Sequence, residues 1–226
     1  MRARSLPLFA ALALLAVSAP NAAAQDDDRS VKGGVQVPGW KARIDRRAMT
    51  QGKTVNDSKF AAEGNALRLS VGPAGNFWKP EHTAKGDYEI MGTFKEHKMA
   101  ASHPHSYGIF IGGNDLESDT ETLMYCIVYG NGTYSIKTFH GAKVTTLVNG
   151  EASPALKKAD ANGEATNSVS WRVKDGKASC VLNGTVVKTL DATQYAGPDK
   201  LKSLDGNYGI RVSHNVELTV SGFMKH

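Results

Sequence analysis

The chain has 226 residues, of which 41% are apolar, 22% charged and 8% aromatic. This composition can bury a core, so it excludes an intrinsically disordered protein. The net charge is +5, or +3 when the basic residues near the start, Arg2 and Arg4, are left out. A charge of that size, spread along the chain, is not the basic footprint of a nucleic-acid-binding protein.

The first segment, residues 1–24, has the pattern of a secretory signal peptide. An apolar run over 6–17 follows the basic start, and a small-residue stretch ends in three alanines before Gln25. The run is about a dozen residues, shorter than the ~20 that a membrane-spanning helix needs. We therefore expect cleavage before Gln25 and a periplasmic or secreted protein without membrane association. The polar residues 25–38 are predicted to be a mobile N-terminal segment.

Eleven short segments have the length and the β-branched or aromatic composition typical of strands. They cover 66–71, 88–94, 107–111, 123–129, 134–139, 144–148, 169–173, 178–182, 185–190, 208–212 and 216–220. The best helix candidate is 152–165, where a proline and a glycine limit any helix to a turn or two.

Three dipeptides between these segments predict antiparallel hairpins: Asn131-Gly132, Asp175-Gly176 and Asn183-Gly184. Asn-Gly and Asp-Gly adopt the positive φ angles of type I′ turns, whose twist matches that of the flanking strands. Alternation along 169–173 assigns Trp171 to the core. Many short strands with little helix predict an all-β fold, a single two-sheet sandwich or jelly roll over residues 39–226.

Two cysteines, Cys126 and Cys180, each lie inside a predicted strand. In an oxidising compartment they could form one disulfide if the strands are neighbours or face each other across a core. They could equally be two buried thiols that pack as small hydrophobic residues. The sequence leaves both interpretations open.

The order of these motifs resembles the 3-keto-disaccharide hydrolase domain family, a large bacterial family of secreted concanavalin A-like domains. The resemblance covers residues 40–224 and rests mainly on strands and turns. The matching stretches are Gly86-Asp87-Tyr88-Glu89-Ile90, Ser106 to Ile111, Ser168 to Val173, Cys180 to Gly184, Gly206 to Val212, and the closing 216–223.

That resemblance implies a concanavalin A-like jelly roll of two antiparallel sheets whose concave face holds sugars. Many members carry a glutamate and an arginine on that face. The corresponding positions here are occupied by Thr93 and Gly112, so the sequence departs from the family where hydrolysis would occur. The resemblance specifies the fold better than the chemistry.

The acidic string from Asp115 to Glu121 contains Glu-x-Asp-x-Glu at Glu117, Asp119 and Glu121, which resembles the catalytic signature of glycoside hydrolase family 16. On a strand the three carboxylates would share one face, as a retaining glycosidase requires. Ser118 and Thr120 are poor core residues, however, and favour a loop. Three interpretations follow: catalysis, a calcium site formed by Asp115, Glu117 and Asp119, or a solvated acidic loop, which is preferred.

The pair His103 and His105, separated by Pro104, has the His-x-His spacing of some zinc and copper sites. Neither His82 nor His97 supplies a third ligand at convincing spacing, and Pro104 places the pair in a loop. A polar loop with exposed imidazoles is therefore the preferred interpretation. No cofactor is predicted apart from the calcium alternative.

Aromatic side chains are candidates for sugar binding because sugar rings present apolar C–H faces to them. The segment 75–80 is predicted to be a loop that exposes Phe77 and Trp78. The candidate carbohydrate-binding residues are Trp78, His105, Tyr107 and Tyr125. The sequence thus favours a secreted, lectin-like domain that binds a glycan without catalysis, with a glycoside or 3-keto-disaccharide hydrolase as the alternative.

Overall fold

The computed structural model describes residues 27–100 and 102–226 as two sheets packed face to face. Their fifteen strands are β1 Gly34–Val35, β2 Lys41–Ile44, β3 Lys59–Glu63, β4 Ala66–Ser70, β5 Gly75–Ala84, β6 Tyr88–His97, β7 Ser106–Asn114, β8 Thr122–Tyr129, β9 Thr133–His140, β10 Lys143–Ala152, β11 Ala165–Lys174, β12 Lys177–Leu182, β13 Thr185–Leu190, β14 Gly206–Val212 and β15 Glu217–Lys225. The predicted signal peptide lies outside the described residues.

The strands form an eight-stranded sheet of order β1-β3-β4-β15-β6-β11-β12-β13 and a seven-stranded sheet of order β10-β9-β8-β7-β14-β5-β2. Neighbouring strands are antiparallel except for the short parallel pair β1–β3. Helix is limited to α1 Arg46–Thr50, α2 Ala192–Tyr195 and a 3-10 turn at Val55–Asp57 within the described residues. The predicted all-β sandwich is confirmed. The short helix expected within 152–165 does not form, since these residues, all of them described, contain no helix.

All eleven predicted strands are present, but the predicted loop at 75–80 is wrong. These residues begin β5, and Phe77 and Trp78 are both buried. The pairing of β5 with β14 shifts register between the pairs Gly209–Trp78 and Asn207–Thr83, so Pro80 lies in a bulge. A bulge tolerates proline because no ladder hydrogen bond is lost there, which is why Pro80 gave a misleading loop signal.

The three predicted hairpins are present, with one difference in turn type. Asp175-Gly176 and Asn183-Gly184 have positive φ at both residues, as a type I′ turn requires. Asn131-Gly132 has positive φ only at Gly132, whose N–H donates to the Tyr129 carbonyl at 2.9 Å. That hairpin therefore has a longer turn.

The main core lies between the sheets. Trp171 is fully buried there, and its indole Nε1 donates a 3.0 Å hydrogen bond across the core to the Ile109 carbonyl. Cys126 of β8 and Cys180 of β12 are joined by a disulfide, with their Cα atoms 6.3 Å apart. One covalent bond thus links the seven-stranded sheet to the eight-stranded sheet.

The N-terminal segment predicted to be mobile contacts the sandwich where it is described. Arg29 donates from Nε to the Val71 carbonyl and from Nη2 to the Val216 carbonyl, both at 3.0 Å. Its guanidinium also lies 2.7 Å from Glu217. The mobility of residues 25–38 stays a prediction. Within 27–100 and 102–226, no helix is long and apolar enough to cross a membrane.

Candidate functional site

The outer face of the seven-stranded sheet carries a second group of buried side chains, which we call the outer cluster. Strand alternation produces it: along β8, Met124 and Cys126 join the main core, while Leu123, Tyr125 and Ile127 point the other way. The members of the outer cluster are Trp78, Phe110, Leu116, Leu123, Tyr125, Ile127 and Phe139.

The outer face of the eight-stranded sheet is different. It carries ion pairs at its surface, among them Arg172 with Glu89 at 3.0 Å and the half-buried pair of Arg68 with Glu217 at 3.1 Å. Such pairs are usual on a solvated sheet surface. An aromatic cluster outside the main core is not needed to hold two sheets together, so the seven-stranded sheet presents the candidate functional face.

An arginine from β14 lies within the outer cluster. Arg211 forms a bidentate ion pair with Asp45, with Nη1–Oδ1 and Nη2–Oδ2 distances of 2.5 and 2.6 Å. Its guanidinium carbon lies 5.3 Å from the Tyr125 ring centroid and 5.0 Å from that of Phe139, which are cation–π distances. Burial lowers the pKa of Arg211, but the Asp45 carboxylate outweighs burial and the net pKa is raised.

A second charged pair lies at the edge of this cluster. Arg43 of β2 places Nε 3.6 Å from Oε1 of Glu121, whose side chain is only 8% exposed. Burial raises the pKa of Glu121 to about 7, although Arg43 and Arg211 both act to lower it. Glu121 can therefore hold or release a proton near neutral pH.

The acidic loop is not a strand, so its three carboxylates do not share one face. Residues 115–120 form turns and bends, with Glu117 and Asp119 exposed and Glu121 buried. The arrangement that the family 16 signature would require, three carboxylates alternating on a strand, is therefore wrong for this segment.

The contacts of the acidic loop do not support the calcium alternative for Asp115, Glu117 and Asp119. Glu117 pairs with Lys41 at 2.6 Å, and Asp119 pairs with Arg43 at 2.6 Å and Arg46 at 2.5 Å. Basic side chains from β2 and α1 thus supply the compensation that a cation would otherwise give. Across the described ranges, Asp115, Glu117 and Asp119 do not form a group that could hold a metal ion.

The four predicted carbohydrate-binding residues occupy three different places. Tyr107 is fully buried in the main core, with its ring 5.6 Å from that of Phe94, so its predicted ligand contact is wrong. Trp78 and Tyr125 belong to the outer cluster. His105 is buried at one end of β7, with its ring near other imidazoles.

Of these residues, Trp78 borders a surface cleft. We call it the Trp78 cleft; its other lining residues are Pro80, Asp115, Leu116, Glu117, Ser118 and Asn207. Tyr125 is held under Arg211, and burial raises the pKa of its phenol to about 12. Trp78 is thus the sequence-predicted aromatic that the structure places beside both a concave surface and exposed polar groups.

Three imidazoles meet at the other end of the sandwich. One nitrogen atom each of His103, His105 and His214 lies within 4.8 Å of the others. The sequence indicated the first two, but His214 is more than a hundred residues away and only strand pairing brings it near. His82 stacks on Tyr208, and His97 contacts Thr219 Oγ1 at 3.0 Å, so both lie elsewhere.

The positions derived from the family resemblance are not on one face. Thr93 lies in β6 of the eight-stranded sheet and Gly112 in β7 of the seven-stranded sheet. The acid and the arginines that lie within or beside the outer cluster are instead Glu121, Arg43 and Arg211. A sequence signal for Arg211 existed: it is a lone charge in the apolar strand 208–212.

No protein-family model and no curated protein sequence matches this chain. Solved structures are similar in fold. Carbohydrate-binding module CBM66 from Bacillus subtilis has 7% identity and a TM-score of 0.56, over 86% of this chain and 99% of that one. A protein of unknown function with a galectin-like fold, also from Bacillus subtilis, has 15% identity and a TM-score of 0.54, over 87% and 97%.

A glycoside hydrolase family 16 endo-glucanase from Bacteroides ovatus has 10% identity and a TM-score of 0.50, over 81% of each chain. At these identities the similarity establishes the fold alone. The chain is a concanavalin A-like jelly-roll sandwich, a fold that occurs in both carbohydrate-binding and glycoside hydrolase proteins.

Proposed function

We propose that this protein is an exported, non-catalytic domain that binds a glycan in the Trp78 cleft. The observation that carries the proposal is the contrast between the two outer sheet faces. Among the described residues, the outer face of the seven-stranded sheet is the one that combines a buried aromatic cluster with a cleft bordered by exposed polar side chains.

The chemistry of the Trp78 cleft suits a sugar. The indole of Trp78 is 2% exposed, so it forms part of the apolar floor of the cleft, and the hydroxyl groups of a sugar need hydrogen-bonding partners at the rim. Glu117 and Ser118 supply exposed oxygen acceptors on one side. Asn207 lies on the other side, with its amide donating to the Pro80 carbonyl at 2.9 Å, so its position is fixed.

The similar solved structures support the same ligand class. One of them is a carbohydrate-binding module and another an endo-glucanase. Because they establish the fold alone, the choice of the cleft rests on this chain's own residues. Export is part of the proposal, since the signal-peptide pattern of residues 1–24 and the disulfide suit an oxidising compartment.

The proposal is tested by a glycan array followed by calorimetric titration of the oligosaccharides that bind. Trp78→Leu and Glu117→Gln should each weaken binding at least tenfold. The matched control is Glu89→Gln, which alters a carboxylate on the opposite outer face and should bind like the wild type. Binding that survives both cleft variants would refute the location, and an array without any glycan signal would refute the function.

One observation favours a second candidate, a glycoside or 3-keto-disaccharide hydrolase. Glu121 is buried with a pKa raised to about 7, the property of a carboxylic acid that can protonate a leaving group at neutral pH. Incubation with β-glucans, disaccharides and 3-keto disaccharides tests it. Turnover that is lost in Glu121→Gln but kept in Glu81→Gln would favour hydrolysis over simple binding.

A further inference from the structure

We propose that His103, His105 and His214 form a binding site for a divalent transition metal, with Zn²⁺ as the expected ion. The site lies outside the outer cluster and the Trp78 cleft, and the proposal does not depend on glycan binding. We call these three residues the histidine triad.

Strand pairing explains why these residues meet. Val212 of β14 pairs with Tyr107 of β7, which brings the segment before β7 beside the turn after β14. Two hydrogen bonds continue the contact beyond the strands: Ser213 N–H donates to the Ser106 carbonyl at 2.8 Å, and Ser106 N–H donates to Ser213 Oγ at 2.7 Å. Residues next to these two serines are therefore fixed relative to each other.

The ring geometry fits a common ligand position. The centroids of the three imidazoles are 5.0, 6.2 and 4.4 Å apart, and their planes are inclined at 61° to 86°. Steeply inclined rings do not stack face to face, and one nitrogen of each lies within 4.8 Å of the others. Two imidazole nitrogens bound to one tetrahedral zinc at 2.0–2.1 Å lie about 3.4 Å apart. Small side-chain rotations would close the difference.

A carboxylate supports one of the rings. Asp28 Oδ1 lies 2.8 Å from Nδ1 of His214, and both side chains are largely buried, with exposures of 16% and 18%. A carboxylate on one imidazole nitrogen is the usual partner of a metal-binding histidine, because it fixes the ring and leaves the other nitrogen for the ion. In this proposal Nε2 of His214, the nitrogen that does not contact Asp28, binds the ion.

The backbone beside the triad is also fixed. Asn215 adopts a φ of 56°, and its N–H donates to the Gly72 carbonyl at 2.9 Å. Its side chain accepts from Arg29 N–H and donates to the Asp27 carbonyl, both at 2.9 Å. The N-terminal segment is thus held on the same turn that presents His214, so a bound ion should also hold this segment.

The donor set indicates the class of metal. Three imidazole ligands suit zinc, copper, nickel or cobalt and do not suit calcium or magnesium, which prefer oxygen ligands. Three protein ligands leave a fourth position for water. His214 also lines a surface cleft, whose other charged lining residues are Asp27, Asp28, Asp45 and Arg47.

The experiment is a titration of the untagged, chelator-treated protein with ZnCl₂ against a chromophoric chelator, with Co²⁺ absorption as a report of coordination by nitrogen. We expect one equivalent bound with a dissociation constant in the micromolar range or below. His103→Ala, which removes an exposed ligand, should weaken binding at least tenfold. His140→Ala removes a histidine outside the triad and should leave affinity unchanged.

Asp28→Asn gives an independent readout, since loss of the supporting carboxylate should weaken zinc binding by roughly 10–100-fold. Zinc should also slow proteolysis of the N-terminal segment in the wild type, but not in His103→Ala. The proposal is overturned if the wild type binds no zinc at millimolar concentration, or if His103→Ala binds as tightly as His140→Ala. Glycan binding that persists in His103→Ala would separate this site from the Trp78 cleft.

Discussion

Glu121 and Arg43 face each other at the edge of the outer cluster without a hydrogen bond between them. The Oε1–Nε distance is 3.6 Å. Within the described part of the chain, neither Glu121 Oε2 nor Arg43 Nε has any hydrogen-bond partner, although both atoms are buried. A buried polar atom without a partner is costly and often marks a functional position. The two unpartnered atoms make this pair a candidate functional position.

Glu121→Gln should stabilise the protein at alkaline pH. The pKa of Glu121 is about 7 in the native state, above its ordinary value of 4.5. The native state thus favours the protonated carboxyl: its contribution is fully present below about pH 4.5 and is lost as the pH rises through 7. At pH 8 ionisation costs on the order of 3 kcal/mol, which Gln avoids. Urea unfolding at pH 4.5 and 8 measures the free energy of unfolding, with Glu81→Gln, at an exposed position, as the control. An equal pH dependence in both variants would contradict the prediction.

Replacement of Glu96 should change the pH dependence of stability in the same direction as replacement of Glu121. Its side chain points from β6 into the sandwich interior, and burial raises its pKa to about 7, although a contact with Tyr107 acts to lower it. Between pH 4.5 and 7, the stability of Glu96→Gln should therefore decline less than that of the wild type. Glu96 points into the space between the two sheets, whereas Glu121 lies on the outer face of the seven-stranded sheet. The effects of the two substitutions on the free energy of unfolding should therefore add in the double variant. Strong non-additivity would mean that the two carboxyls are coupled.

Asp45→Asn should be strongly destabilising. It removes one charge of a bidentate pair while Arg211, whose side chain is 7% exposed, stays charged and buried. Breaking such a pair costs about 3–5 kcal/mol in the free energy of unfolding. The control, Glu89→Gln, breaks a pair with Arg172, which is 48% exposed, and should cost about 1 kcal/mol or less. Similar losses for both variants would show that the Arg211 pair adds nothing by being buried.

The Cys126→Ala, Cys180→Ala double variant should unfold more easily than the oxidised wild type. The bond closes a loop with a sequence separation of 54 residues, for which the chain-entropy relation gives about 4 kcal/mol. Chemical denaturation with and without reductant measures the difference. The reduced wild type should resemble the double variant, and a peptide map under non-reducing conditions should recover the linked peptides. Identical curves in all three samples would mean that the thiols are not paired.

The sequence predicts the fold where local rules decide the outcome. Trp171 alternates with polar neighbours, and Asp175-Gly176 adopts a type I′ turn in its own four residues. The prediction fails where a residue's role depends on distant chain: Pro80 lies in a bulge because of a register shift against β14, and Tyr107 points inward because of the sheet to which β7 belongs.

The candidate sites are harder to predict for the same reason. Asp119 meets Arg43 and Arg46, and His103 meets His214, through pairings between segments far apart in the chain. Neither spacing nor periodicity encodes such encounters. The sequence does supply the residue types: an acidic loop whose negative charge needs basic partners, and two histidines that need a third ligand to form a metal site.

The position of β15 has a consequence for how the protein is made. This strand lies between β4 and β6 in the middle of the eight-stranded sheet, and β14 lies between β5 and β7 in the other. Both are late in the chain, so the edges of β4 through β7 lack partners until residues 206–225 have been synthesised. Unpaired edges invite aggregation. The two sheets can therefore be completed only after residues 206–225 have been synthesised, and deletion of β15 should divide the eight-stranded sheet between β4 and β6.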